Sequence, residues 1–382
     1  MTDADFLRLA LRLACRGSGT TSPNPMVGAV LVRRGKIIGR GWHRRAGEAH
    51  AEIEALRDAQ TRGHLSKGAT LYLTLEPCCT HGRTPPCTEA IKAAGIRRVV
   101  IGATDPNPQH AGKGFKILKR AGMAVVHGVL REECEKLNEA FNHWMVHLTP
   151  FVTVKAAMTL DGKIATANGE SKWITGEKTR AHGMKLRRGS DAILVGINTI
   201  LADDPSLTRR NLGNIQHSTF NLEHPRLRRI VLDSMARTPV GAKVVSDEFA
   251  GLTTIVVSQR APKRRVAALA RRVRVLVAPA ANSKLDLSWL LQRLGAENVT
   301  SLLVEGGGEV NASFLLGGLA QRVTFFYAPK ILGGRDSRKG VAGEGVKSLS
   351  EMIQLRDLHW RKLGEDLLLT ARVGAPSSDP AR

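Results

Sequence analysis

One imidazole, two thiols and a carboxylate stand at spacings that suit a catalytic zinc. His50 and Glu52 flank Ala51, Cys78 follows Pro77, and Cys87 follows Pro86. Such a zinc takes three protein ligands and keeps a fourth position for water. His50, Cys78 and Cys87 meet that count. Glu52, at an expected helix start, reaches the activated water without binding the metal and shuttles its proton to a leaving amine. The chemistry is hydrolytic deamination of an amidine-like ring carbon. Pro77 and Pro86 each place a cysteine at an expected helix entrance, where backbone N–H groups and the dipole favour thiolate. Taken singly, His50 also reads as a surface histidine and Cys78 as a small buried hydrophobe. The order and the strand–helix contexts together favour the metal. Zinc deaminases usually space their cysteines C-x-x-C, whereas here Cys79 and THGRTPP intervene, and Cys79 is a competing ligand.

Three further stretches carry chemistry: 155–163 (KAAMTLDGK) with 169–175 (GESKWIT), 196–205 (GINTILADDP) with 207–210 (LTRR), and 304–308 (VEGGG). The last follows an apolar run and opens an expected helix, so small residues let backbone amides approach an anion. It is not G-x-G-x-x-G, and three glycines also suit a turn.

The elements that must hold these groups follow from periodicity. Residues 3–16 have a helical apolar stripe through Phe6, Leu9, Ala10 and Leu13. Segments 26–32 and 36–42 are β-rich runs joined by Arg33-Arg34-Gly35, a hairpin signal. Helices are expected at 51–61, 88–94, 113–121 and 131–147, and strands at 69–75, 99–103 and 124–127. This is an α/β layer pattern with parallel later strands. Pro150 stops the long helix. Beyond it strands are expected at 151–157, 192–195, 229–232, 253–257, 273–277, 299–304 and 323–328, with helices at 179–188, 286–294 and 309–316. Segment 210–227 and the tail read as loop or disorder. The expected division is a deaminase domain at 1–149, a second domain at 150–373 and a disordered tail at 374–382. There is no internal repeat.

At 382 residues with 42% hydrophobic content, the chain is long enough for two globular domains. Five cysteines, odd in number and unevenly spaced, and an acidic N-terminus fit a reducing cytoplasm. No apolar stretch is long enough to span a bilayer. The net charge of +23 raises the possibility of nucleic acid, but the cations are scattered in short pairs and only two tyrosines are present for stacking. Phosphate-bearing small ligands are the expected anions, with no nucleic acid and no membrane as partners.

The string at 74–87 (TLEPCCTHGRTPPC), with 23–28 (PNPMVG) and 105–108 (DPNP), closely resembles the deaminase half of the bifunctional riboflavin-biosynthesis deaminase/reductase family. The three blocks of the second half resemble its reductase half, so the likeness runs from Asn24 to about Leu369. It implies a cytidine-deaminase-like α/β/α domain followed by a dihydrofolate-reductase-like α/β domain. It also implies one zinc, NADPH, and a phosphorylated ribosylaminopyrimidine that loses its 2-amino group before its ribosyl is reduced to a ribityl chain. The family pattern has another residue at Cys79, which supports Cys78 and Cys87 as ligands. By the same likeness Asn24, His43 and His81 line the pyrimidine pocket, with Asp105 and Asn107 nearby. Beside prolines, Asn24 and Asn107 also suit turn chemistry. Ser171, Leu207 and Glu305 are placed on substrate. Ala157, Trp173, Thr199, Asp203, Ser234 and the turn Gly307, Gly308, Glu309, Val310, Asn311, Ala312 and Ser313 are placed on NADPH. Arg187 and Arg210 are candidate phosphate clamps, because guanidinium forks match phosphate oxygens. Lys155 and Asp203 are candidates for assisting proton transfer in the reductase, and Trp173 equally suits a core aromatic. A homo-oligomer is expected.

Overall fold

The computed structural model describes residues 1–80, 85–108, 110–209, 227–281 and 284–374. His81, Arg210, the rest of the expected 210–226 loop and the tail from 375 lie outside the described residues. The chain divides into two compact units, Met1–Leu148 and Thr149–Arg382. Among the described residues no helix is long and apolar enough to cross a membrane.

The first unit runs α1 (Asp3–Ala14), β1 (Gly28–Arg33), β2 (Lys36–Trp42), α2 (Ala51–Thr61), β3 (Thr70–Leu75), α3 (Cys87–Ala93), β4 (Arg98–Ala103), α4 (Lys113–Arg120), β5 (Ala124–His127), α5 (Arg131–Leu137) and α6 (Glu139–His147). Its sheet has the order β2-β1-β3-β4-β5, antiparallel at β1 and parallel from β3 to β5. Arg34 and Gly35 both take left-handed φ, which makes the two-residue hairpin between β1 and β2. Strand side chains alternate between faces. Val30 and Val32 pack with Phe6, Leu7 and Leu13 of α1, while Ala29 and Leu31 pack with Ala51, Ala55 and Ala59 of α2. The outcome is the expected α/β/α layering. Thr2 and Asp5 form a capping box that starts α1.

The helix expected over 131–147 is interrupted at Asn138, whose backbone leaves the helical region at φ −110° and ψ 21°. Its side chain provides the reason. Buried Asn138 accepts from Met26 N–H at 2.8 Å through Oδ1 and donates to Met26 O at 2.9 Å through Nδ2. Two hydrogen bonds to a distant backbone outweigh the local preference for an unbroken helix.

The second unit contains β6 (Phe151–Thr159), β7 (Lys163–Ala165), α7 (Glu177–Arg188), β8 (Ala192–Gly196), α8 (Ile197–Asp203), β9 (Arg228–Leu232), α9 (Lys243–Ser246), β10 (Thr253–Ser258), α10 (Lys263–Ala270) and β11 (Arg274–Ala278). The short pair β12 (Ala280–Ala281) and β13 (Lys284–Leu285) leads into α11 (Leu287–Ala296), β14 (Ser301–Val304), α12 (Gly308–Leu316), β15 (Arg322–Ala328), β16 (Arg338–Lys339), β17 (Leu355–Leu363) and β18 (Asp366–Val373). Nine strands form one sheet in the order β11-β10-β9-β8-β14-β6-β15-β18-β17, parallel from β11 to β15 and antiparallel at β18 and β17. Helices α8 and α10 and the hairpin β17–β18 go beyond the sequence expectation. Leu227, expected in a loop, is buried among Ile193, Val231 and Val245.

Asn138→Ala leaves both polar groups of Met26 without their partner. The expected loss is about 2–3 kcal/mol of unfolding free energy, read as a lower urea midpoint at unchanged slope.

Candidate active sites

In the first unit, three segments converge. His50 is the N-cap of α2, Cys87 opens α3, and Cys78 lies in irregular chain beyond β3. The helix entrance expected at Cys78 is therefore absent. The amide of Cys87 instead donates to Cys78 Sγ at 3.3 Å, so the α3 terminus still serves that sulfur. His50 Nδ1 lies 3.6 Å from Cys78 Sγ and 3.3 Å from Cys87 Sγ, and all three donor atoms fall within 4.8 Å of one another. Tetrahedral zinc bonds of about 2.0–2.3 Å separate sulfur and nitrogen ligands by roughly 3.5 Å. The donors therefore fit the ion. Cys79 belongs to no such group among the described residues.

Electrostatics divide these groups by role. The Cys87 thiol and the Cys87 amide hydrogen-bond to Cys78 Sγ, which together with His50 pushes Cys78 down to about 4; the same sulfur pairing pushes Cys87 up. The bond to Cys78 raises His50. Glu52, the second residue of α2, is buried. Burial first, then the charge of Cys78, pushes its carboxyl up to about 7, suited to exchanging protons near neutrality.

Asn24 and His43 are brought together beside the metal ligands. His43 Nδ1–H donates to Ala49 O at 3.1 Å, which leaves Nε2 to accept from Asn24 Nδ2 at 3.1 Å, and its ring meets that of His50 edge-on at 5.2 Å. Burial lowers His43, so the ring stays neutral. Asp105 lies just past β4 and is raised by burial. It accepts from Asn107 N–H at 2.9 Å, so the turn chemistry expected of this stretch is present. Sequence reasoning missed Glu76. Its buried carboxylate accepts from the amides of Asp105 at 3.1 Å, Gly112 at 3.0 Å and Gly114 at 2.9 Å, and so ties the segment after β4 to the cysteine loop.

In the second unit, a cleft of about 1030 Å³ opens beyond β8 and β14. This is the crevice at the carboxyl ends of parallel strands where ligands bind α/β sheets. Among the residues assigned to ligands from the sequence, Ser171, Thr199, Asp203, Glu305, Gly307, Gly308, Glu309 and Val310 line it. A Cβ on Gly306 would stand 2.5 Å from Val310, and one on Gly308 only 2.3 Å from Lys339 O. Glycine at 306 and 308 is thus required by packing against the protein itself, while a Cβ on Gly307 would meet nothing within 4 Å, and the α12 start fits a cofactor pyrophosphate.

Ala157, Trp173, Ser234, Asn311, Ala312 and Ser313 lie outside the set of residues that lines the cleft. Trp173 is 66% exposed with Arg180 stacked 4.6 Å from its ring, so it is not a core aromatic either. The Leu207 side chain is buried in the core with Ile197 and Ile200, which leaves only its backbone for a ligand. Arg187 is not a free phosphate clamp: its Nε and Nη2 grip both oxygens of Glu305 at 2.8 and 2.9 Å. Lys155 adds a third contact to Glu305 at 3.5 Å. Burial alone would raise Glu305, but Lys155 and Arg187 hold it down at about 2. Asp203 pairs with Lys172 at 3.2 Å.

Comparison with known proteins places both units. Residues 1–103 match the cytidine and deoxycytidylate deaminase zinc-binding region, and residues 150–369 match the RibD C-terminal domain. The riboflavin biosynthesis protein RibD of Actinobacillus pleuropneumoniae is 43% identical over 98% of this chain and 96% of its own length. The chain belongs to the RibD family. The RibD protein of Escherichia coli is 41% identical over 97% of this chain and 99% of its own. Among solved structures, Acinetobacter baumannii RibD superposes with a TM-score of 0.84 at 34% identity, covering 98% of this chain and 99% of that one. The Thermotoga maritima diaminohydroxyphosphoribosylaminopyrimidine deaminase/5-amino-6-(5-phosphoribosylamino)uracil reductase gives 0.82 at 35% identity, covering 97% and 99%. Membership in this family accounts for a zinc-binding deaminase domain and a reductase domain on one chain.

Two measurements follow. In competition with a colorimetric chelator, Cys78→Ala or Cys87→Ala should weaken zinc binding about a hundredfold or more, whereas Cys79→Ser should leave it within a few-fold. Glu305 has its folded value depressed from 4.5 to about 2, so its stabilisation is complete above pH 4.5 and is lost as pH falls towards 2. Glu305→Gln should flatten the fall in unfolding free energy across that window, read by denaturation at stepped pH.

Proposed function

We propose that this chain catalyses two consecutive steps of riboflavin biosynthesis. These are zinc-dependent hydrolytic deamination of 2,5-diamino-6-(5-phosphoribosylamino)pyrimidin-4-one at residues 1–149, then NADPH-dependent reduction of the ribosyl to a ribityl chain at residues 150–373. The observation that carries the reading is the convergence of His50, Cys78 and Cys87 beside a buried Glu52, on a chain that covers 96% of the length of its Actinobacillus pleuropneumoniae relative.

His50, Cys78 and Cys87 would hold the zinc, which when bound would supply a Lewis acid that activates water. The Glu52 carboxylate holds and moves protons between the attacking water and the departing amine; across the reaction a C–O bond forms, a C–N bond breaks and ammonia leaves. A carboxyl near 7 gives up and regains a proton at little cost. Asn24, oriented by neutral His43, and Asp105 and Asn107, held by Glu76, face the pyrimidine; His81 completes our substrate set.

In the second domain, Gly306–Gly308, Thr199, Asp203, Glu309 and Val310 would hold NADPH, the amides at the α12 start being suited to its pyrophosphate. When bound, it would supply the hydride. Glu305, kept ionised by Arg187 and Lys155, accepts hydrogen bonds from substrate hydroxyls, with Ser171 and the Leu207 backbone as further contacts. Arg187 thus acts as a positioning residue, and Arg210 stays assigned to phosphate. Lys155 and Asp203 are the groups we assign to proton transfer at the reduced centre.

The partner is a phosphorylated small molecule rather than nucleic acid, in keeping with cations spread over both domains. Exposed Leu358 and Trp360 on the edge strand β17 support self-association, and five free cysteines support a cytoplasmic setting.

Glu52→Gln should lower deamination by about a thousandfold while zinc stays bound and pre-deaminated substrate is still reduced. Near-normal deamination by this variant would remove Glu52 from the role. Mixing the unaltered chain with the diaminopyrimidine ribosyl phosphate and NADPH should release ammonia and oxidise NADPH; if neither occurs, the two-step reading fails.

A further inference from the structure

The cleft of the second domain contains two cations that the assignments above leave unused. Arg338 and Lys339 line it together with Gly306–Gly308. The acids of the same cleft are already committed: Glu305 to Arg187 and Lys155, Asp203 to Lys172, and Glu309 to the amide of Gly343 at 3.1 Å. Among the described residues, neither Arg338 nor Lys339 is drawn into an ion pair.

Two exposed cations would ordinarily be read as solvated surface. The way their backbone is held argues otherwise. Upstream, the Asp161 carboxylate accepts from the amides of Leu332 at 3.1 Å and Gly333 at 2.7 Å. Arg338 and Lys339 then form β16 against β7, with Arg338 paired to Ala165 and Lys339 to Lys163. Gly340 N–H donates to Gly162 O at 2.9 Å, and Gly340 O accepts at 2.8 Å from Nδ2 of fully buried Asn311. Ala342 N–H donates to Gly308 O at 3.1 Å, which joins the strap directly to the first turn of α12. The Arg338 guanidinium lies against the Gly169 turn, where a Cβ would stand 3.1 Å from Nη2. Gly169 also has φ +92°, a conformation open to glycine. An exposed basic segment gains nothing from such fixation unless its side chains meet a ligand of fixed geometry.

We propose that Arg338, supported by Lys339, reads a phosphate monoester carried on a ribose within this cleft, with Asp161 and Asn311 as positioning residues for the strap. The inference rests on the reductase reading and deepens it. A guanidinium fork forms paired, charge-assisted hydrogen bonds to a dianionic phosphate, and a neighbouring ammonium adds a point charge. Two ligands of this domain bear such a group: the cofactor, on its adenosine ribose, and the substrate, at the 5-position of its sugar.

The test uses the full-length chain and its Arg338→Ala, Arg338→Lys and Lys339→Ala variants. NADPH and NADH binding is followed by fluorescence titration, and KM for reduction is measured with the deaminated substrate before and after removal of its 5-phosphate. We expect Arg338→Ala to weaken one phosphate-bearing ligand about 10–100-fold, with its phosphate-free counterpart changed less than about twofold. Arg338→Lys should recover part of the loss, and Lys339→Ala should cause a smaller one. An effect on NADPH but not NADH identifies the cofactor phosphate; an effect confined to the phosphorylated substrate identifies the sugar phosphate. Equal weakening of phosphorylated and phosphate-free ligands, or no change in either pair, overturns the proposal. Failure of the unaltered chain to bind NADPH would instead defeat the reductase reading beneath it. Because the lysine variant keeps the charge, it preserves the test should the alanine variant not fold.

Discussion

A carboxylate removed from water must be neutralised, paired with a cation or given hydrogen-bond donors, and the first two solutions set the character of the two candidate sites. Glu52 is buried beside the Cys78 sulfur, and its proton affinity rises until it exchanges near neutral pH. Glu305 is buried between a guanidinium and an ammonium and remains an anion far into acid. The first arrangement makes a proton carrier and the second a fixed acceptor. The packing around each follows from this. Glu52 is buried in the first turn of α2, whereas Arg187 on α7 and Lys155 on β6 both reach Glu305 just past β14.

Much of this was legible in the sequence, for physical reasons that differ between segments. The donor set His50, Cys78 and Cys87 could be read because a zinc site restricts residue type and order, whatever the intervening chain does. Strands such as β3 and β4 were legible because burial on both faces demands continuous apolar runs. The break at Asn138 was not, since 131–147 has unbroken helical character and the competing interaction is with Met26, far away in sequence. Glu76 was likewise hidden: a glutamate before Pro77 reads as ordinary polarity until its three amide partners come together in space.

In the second domain, the limits were of another kind. Resemblance placed residues on ligands but said nothing of which atoms they present. Leu207 is directed into the core, and Arg187 spends its guanidinium on Glu305. Strand β17 mixes charges with Leu358 and Trp360 without clean alternation, because it is an edge strand with little burial to impose a pattern. The strap at 332–343 carries glycines and charges that read as surface loop, yet it is held from both sides of a cleft.

The latch between Asn138 and Met26 also has a temporal meaning. The loop that presents Asn24 is secured by a residue 112 positions further along the chain. During synthesis, β1, β2 and α2 can therefore emerge and pair well before their pocket acquires its final shape. The loop that presents Asn24 gains this fastening only once Asn138 has left the ribosome, by which point translation has already entered the second domain. Anyone dividing the chain to obtain the first domain alone must cut beyond α6, since an earlier boundary would remove the fastening and leave the ligands behind.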